Sequence, residues 1–226
     1  MITLANKNIE KKMSLSSTQF YNLVFESPIE FRKVITAIKE QLDGDEEFFL
    51  AYTEKEDIKL SKYGCIIESP LNIQIDEKKT NLNIQKDIGT HIKNEEQEKF
   101  ELLKQNITEY ISEITYDYNL PVSIDDDINL TAFLKAMSLA YQDNSESFIE
   151  RFLNKIKLIS FVFGYKIFFF INLHDYFSNE ELETVFLQLD LLEISYILIS
   201  SHAPKQKIDK EFLVIIDEDL CELHIE

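Results

Sequence analysis

Glycine is scarce, and its scarcity is the first constraint on function. The 226 residues hold four glycines, Gly44, Gly64, Gly89 and Gly164, each standing alone. A phosphate cradle of the GxxxxGK[ST] or GxGxxG kind needs clustered glycines so that backbone N–H groups can close on phosphate. Their absence argues against nucleotide hydrolysis. Cysteine is equally sparse. Cys65 and Cys221 lie far apart and outside any CxxC or Cys/His cluster, which leaves no zinc ribbon or disulfide framework and implies reduced thiols in the cytosol. Cations are also few, 23 Lys and Arg against 41 Asp and Glu, for a net charge of −18. Taken alone that balance points away from nucleic acid, because phosphate binding normally leaves a basic footprint, while it permits divalent cations.

Long apolar runs are missing too. The most apolar region, Leu158 to Leu173, is broken by Ser160, Gly164 and Lys166 and falls short of the ~20 residues a membrane span needs. Lys7, Lys11 and Lys12 have no such stretch behind them, which argues against a signal peptide. There is no GxSxG elbow, and the histidines are scattered. The expectation is a soluble cytoplasmic protein with no membrane partner.

What is present is organised around Lys166 to Ser200. A short, almost wholly apolar run (Ile167 to Leu173), an amphipathic segment and a second run (Ile194 to Ile199) read as strand, helix, strand. Consecutive apolar residues suit parallel strands buried on both faces. Ser178 with Glu180 and Glu181 supplies a cap and first-turn acids, and Leu182, Val185, Phe186 and Leu189 follow at helical spacing.

Upstream, Phe20 to Phe25 predicts a strand, Ser27-Pro28 opens a helix that Gly44 stops, and Phe48 to Tyr52 and Cys65 to Glu68 predict two more strands. After Pro70 the texture becomes charged and helical. Phe100, Leu103, Ile107, Tyr110, Ile111, Ile114 and Tyr118 step by three and four, so one helix is expected from about Ile92 to Tyr118. Leu130, Phe133, Leu134, Met137 and Tyr141 mark a shorter helix, and Asn144-Ser145 caps a third that leads back to the central run. Phe212 to Ile216 is the last predicted strand. The fold expected is α/β, with a discontinuous head over 1–70 plus 158–226 and an inserted α-helical leg over 71–157.

Several patterns bear on chemistry. His174-Asp175 ends a buried strand and has the look of a catalytic pair, although a loop histidine beside a helix-capping acid is the plainer reading. Glu68 followed by Asp76-Glu77-Lys78 offers a strand-end acid and a D-x-K, the outline of a metal-dependent nuclease using Glu68, Asp76 and Lys78. Such a triplet is common by chance in a chain that is 28% charged. Glu109, Glu113 and Asp117 share one side of the long helix, and Asp125-Asp126-Asp127 follows it. Together these acids could supply oxygens to Ca²⁺, yet without an EF-hand pattern they favour a solvated acidic face. The basic groups are Arg32 and Lys33, Lys135, and Arg151, Lys155 and Lys157, and ordinary surface charge explains them.

In their order these features resemble the CRISPR-associated spacer-acquisition protein of type II-A systems, in its shorter form. The likeness rests on Leu23-Val24-Phe25-Glu26 running into Phe31-Arg32-Lys33-Val34-Ile35, on Ile66-Ile67-Glu68-Ser69-Pro70-Leu71, and on Thr108-Glu109-Tyr110-Ile111. It continues through the Asp-rich turn before Leu130-Thr131-Ala132-Phe133-Leu134-Lys135, Lys166 through Asn172, and Ile215-Ile216-Asp217-Glu218-Asp219. The resemblance implies a P-loop-ATPase-like head without the phosphate loop. It also implies a non-catalytic protein that forms homotetrameric rings, binds Ca²⁺ and threads ends of linear double-stranded DNA through the central hole, without sequence preference. Implied partners are the CRISPR integrase complex and the RNA-guided effector nuclease. By that likeness Asp117, Asp125, Asp126 and Asp127 become metal-ligand candidates, and Arg32, Lys33, Lys135, Arg151, Lys155 and Lys157 become candidates for DNA contact. Pro121 and Ser123 stand where relatives carry acids, and the first dozen residues match poorly.

Overall fold

The computed structural model describes residues 2–16, 19–45, 47–118, 120, 122–123 and 128–225. The central strands follow from their composition. β7 (Ile167–Ile171) and β8 (Ser195–Ser200) pair in parallel, Phe169 opposite Ile197, and the helix between them, α7 (Asn179–Leu191), completes the βαβ unit. Ser178 caps α7 in a reciprocal capping box: its hydroxyl accepts from Glu181 N, and the Glu181 carboxylate accepts from Ser178 N.

Four further strands extend this pair. β3 (Phe20–Phe25) lies parallel to β8 and to β9 (Glu211–Ile216), β6 (Gly64–Ile67) lies parallel to β7, and β10 (Glu222–Ile225) is antiparallel to β9. The order is β10-β9-β3-β8-β7-β6. Both faces are covered, as runs without alternation require. On one face Phe169, Ile171, Leu23 and Ile199 pack with Val34 and Ile38 of α1 (Pro28–Asp43) and with a second, smaller sheet. On the other, Phe170 packs against Phe152 of α6 (Phe148–Phe163), and Tyr196 stacks on Phe186 of α7.

The smaller sheet corrects the sequence reading. Residues 2–15 form an unforeseen hairpin, β1 (Ile2–Asn6) with β2 (Ile9–Leu15). The strand expected at 48–52 joins it as β4 (Leu50–Tyr52), antiparallel to β1, rather than entering the parallel sheet. β5 (Asp57–Ile58) adds to β4, and a single turn, α2 (Leu60–Tyr63), leads into β6. The order β2-β1-β4-β5 buries Leu4, Met13, Leu15 and Ala51 against the larger sheet's core. Alternation in β2, with Ile9, Met13 and Leu15 inward and Glu10 and Lys12 outward, is the pattern of an antiparallel strand with one wet face.

Contacts divide the chain into a unit of residues 1–74 with 144–226 and a unit of residues 75–143. All of α6 belongs to the first, because Phe152 and Ile156 are buried in it. Its cap is Ser147, whose hydroxyl accepts from Glu150 N at 3.1 Å, not Asn144-Ser145.

In the second unit the helix expected from about Ile92 to Tyr118 begins later, as α4 (Gln97–Tyr116), and residues 92–95 end a separate helix, α3 (Glu77–Glu95), the two parted at Glu96 with φ −125 and ψ 18. No apolar residue occurs between Ile92 and Phe100, so nothing holds the helical stripe in register through that stretch. α3 packs against α5 (Leu130–Ala136) at Gly89, where an added Cβ would meet Leu130 at 3.8 Å and Leu134 at 3.9 Å, ordinary contact distances.

Candidate nucleic-acid interface

The basic candidates sit on three helices. Arg32 and Lys33 are exposed on α1, and Lys33 Nζ pairs with Glu30 at 2.7 Å, one helical turn away. Arg151, Lys155 and Lys157 lie on α6, where the spacing of four sets Arg151 and Lys155 on one face. Arg151 and Lys157 are exposed; Lys155 is half-buried, its Nζ 3.4 Å from Ile73 O. α1 and α6 cover opposite faces of the large sheet, so within one chain the structure does not bring these two groups together. Lys135 is exposed on α5 in the other unit.

Of the acids assigned to a metal, Asp117 is exposed at the C-terminal end of α4, while Asp125, Asp126 and Asp127 lie outside the described residues. Among the described residues no group of three or more His, Cys, Asp or Glu side chains is arranged to hold a metal ion. Asp76 is the N-cap of α3, its carboxylate accepting from Lys79 N at 3.0 Å, and Glu68 pairs with Lys39 at 2.9 Å. Helix capping and a surface ion pair account for both carboxylates.

His174 and Asp175 do not form a pair with each other; each takes a different partner. His174 Nε2 lies 2.8 Å from Glu211 Oε1, and Asp175 Oδ1 lies 3.1 Å from His202 Nε2. Both histidines line a cavity of about 710 Å³ beyond the carboxyl ends of β7 and β8, with Ser178 and Lys205. Asn172, at the end of β7, adopts the left-handed conformation (φ 47, ψ 41), which Asn tolerates better than most residues. Its side-chain oxygen accepts from Ser201 N at 2.8 Å, tying the two strand ends together.

Sequence reasoning missed the polar cluster behind His174. The Glu211 carboxylate accepts from Asn22 Nδ2 at 2.8 Å and from Ile208 N at 3.0 Å, while Ser200 donates to Asn22 Oδ1 at 2.7 Å. Asn22, Ser200 and Glu211 are all buried. The available signal was Asn22, the one polar residue in an otherwise apolar and aromatic run from Phe20 to Phe25.

Comparison with known proteins bears on identity more directly. The family model described as CRISPR-associated protein (Cas_Csn2) matches residues 41–220. No curated protein matches the sequence. Among solved structures, a nucleotide-free ATP-binding cassette from an ABC transporter aligns at 16% identity and a TM-score of 0.48, over 100% of this chain and 92% of that one. A bacterial Atm1-family ABC exporter with ATP bound aligns at 10% identity and 0.42, over 95% of this chain and 36% of the exporter. A dimeric ATP-binding cassette in a post-hydrolysis state, bound to ADP and Pi, aligns at 10% and 0.35, over 90% and 88%. TM-scores below 0.5 are too low to assign a fold.

Proposed function

This chain belongs to the CRISPR-associated Cas_Csn2 family, and on that footing we propose that it is a non-catalytic protein of spacer acquisition that binds ends of double-stranded DNA without sequence preference. Family membership is the observation that carries the proposal. The reading includes a closed ring of four copies, dependence on Ca²⁺, and handover to the integrase complex and the RNA-guided effector nuclease.

The architecture supports a head that resembles P-loop ATPases but lacks their chemistry. β3 passes into α1 through Glu26 and Ser27 alone, leaving no loop in which backbone amides could surround a phosphate. The inserted helical unit plays the part of the leg.

A strongly acidic chain can hold DNA if closure into a symmetric ring repeats its few cations around one hole. At a screening length of about 8 Å in physiological salt, charges on the outer surface matter little to a duplex in the hole. Arg151 with Lys157 on α6 and Arg32 on α1 are the candidates for that lining. Since α1 and α6 cover opposite faces of one head, neighbouring copies would have to supply the two groups. Contact with the backbone alone gives no sequence preference and a steep loss of affinity with salt. Calcium enters through the family likeness, and the described residues do not themselves assemble its site.

A gel-shift assay with linear and covalently closed circular duplex, with Ca²⁺ and with chelator, tests the reading. The expected result is Ca²⁺-dependent retention of the linear form alone. Equal binding to both forms, or to neither, overturns it.

A further inference from the structure

β10 closes one side of the six-stranded sheet. β9 lies on its inner side, and among the described residues no strand lies on its outer side. Exposed edges in natural proteins are commonly guarded by lysine, proline or a bulge. An edge strand of the smaller sheet follows that rule, for β2 carries Lys11 and Lys12, and its Glu10 N and Lys11 N donate to the Glu222 carboxylate at 2.7 and 3.1 Å. β10 does not. It reads Glu-Leu-His-Ile, with Leu223 52% and Ile225 45% exposed.

The hydrogen bonds define which way its backbone points. Asp217 N donates to Cys221 O at 3.1 Å, and the antiparallel register continues from there, with Ile215 opposite Leu223 and Leu213 opposite Ile225. Because hydrogen-bonded and non-hydrogen-bonded pairs alternate, Leu223 and Ile225 turn N–H and C=O towards β9, and Glu222 and His224 turn theirs outward. Side chains alternate as well. Glu222 and His224 share one face, where Glu222 Oε1 meets His224 Nε2 at 2.6 Å, and Leu223 and Ile225 share the other.

We propose that β10 pairs antiparallel with β10 of a second copy across a two-fold axis through Leu223, joining two large sheets into one. In that register Glu222 of each copy lies opposite His224 of the other, and these are the residues whose backbone groups face outward. They exchange four backbone hydrogen bonds about the axis. Leu223 meets its own equivalent, and Cys221 meets Ile225. The strand is complementary to itself: on one side of the sheet the His224 side chain of each copy, 37% exposed, comes beside a Glu222 carboxylate that Glu10 N, Lys11 N and its own His224 already hold, and on the other side apolar faces apolar. Other registers lose this match. An axis through Glu222 sets carboxylate against carboxylate, and an axis through His224 leaves Glu222 without an imidazole opposite. The pairing needs two copies and no DNA, so it stands or falls apart from the ring reading.

Leu223→Cys in a chain carrying Cys65→Ser and Cys221→Ser tests it. A non-hydrogen-bonded pair on the axis sets the two Cα atoms about 4.5 Å apart, within the range a disulfide spans. Mild oxidation should give a covalent dimer on a non-reducing gel, while Leu191→Cys in the same background, a site 69% exposed, should remain single. Adding His224→Pro removes one outward N–H per copy and spares the ladder to β9, so linking should slow about tenfold; His224→Ala keeps the N–H and should link faster than the proline variant. Linking at Leu223→Cys no faster than at Leu191→Cys overturns the proposal, as do equal rates for the proline and alanine variants. Should the proline variant not fold, Ile225→Cys decides: its thiols lie off the axis, and self-linking as fast as at Leu223→Cys likewise overturns the register.

Discussion

His174 Nε2 lies 2.8 Å from Glu211 Oε1, and the Glu211 side chain has no exposed surface. A carboxylate so placed depends on its donors, which here are His174, Asn22 Nδ2 and Ile208 N. The cluster joins β3 and β9 to the turn that follows β7, so it positions the histidine cavity rather than decorating it.

Glu211→Ala should therefore cost about 3–5 kcal/mol, since it strands two buried donors, Asn22 Nδ2 and Ile208 N, and removes the partner of the half-buried His174. Urea denaturation measures it. A loss under about 1 kcal/mol would mean that water satisfies those groups.

Glu222 should make stability depend on acid. Burial pushes its carboxyl upward, but hydrogen bonds from His224, Glu10 N and Lys11 N, with the charge of His224, outweigh this and hold it below the usual carboxylate range. A depressed value contributes stability above the unfolded carboxylate range, and that stability is lost as pH falls through the folded value. Wild type should exceed Glu222→Gln in urea midpoint at pH 7, and the two should converge at pH 3. A constant difference across that range would contradict it.

The two thiols should react at very different rates. Burial pushes the Cys65 thiol up to about 12, while Cys221 is exposed. Because the thiolate is the nucleophile, iodoacetamide at pH 8 should label Cys221 first and Cys65 only after denaturation. Mass spectrometry of tryptic peptides reads the order directly.

Gly64→Ala should destabilise by about 1–3 kcal/mol. A Cβ there would sit 2.6 Å from Leu42 Cδ2 and 2.7 Å from Leu60 O, and the second of these is backbone that cannot swing aside. At Gly44 there is open space, but φ is +103, so alanine is strained for a different reason and should cost about 1 kcal/mol. Thermal melts of both variants check the pair.

Under the proposed function, Arg151→Ala with Lys157→Ala should weaken DNA binding and lower the slope of log affinity against log salt by about 0.9 for each phosphate contact removed. Both side chains are exposed, so folding should be unaffected. An unchanged slope would take these two residues out of the interface.

The sequence by itself determined the local elements whose signals are local. The capping box at Ser178, the left-handed stop at Gly44 and the central strands all follow from neighbours within a few residues. The family, too, was legible in the order of the motifs, and the family model confirms it. Only the tertiary structure decided what each element met. An apolar run says that a strand is buried, not beside which partner, so β4 and the hairpin of β1 and β2 entered a second sheet whose pairing no local pattern named, although alternation in β2 marks one wet face. A stripe of spaced apolar residues does not fix where a helix begins in a charged stretch, so the helix expected from about Ile92 starts at Gln97 as α4, and residues 92–95 belong to α3. Asn22 and Glu211 stand 189 residues apart and become partners because two parallel strands bring them side by side, and burial makes that contact matter.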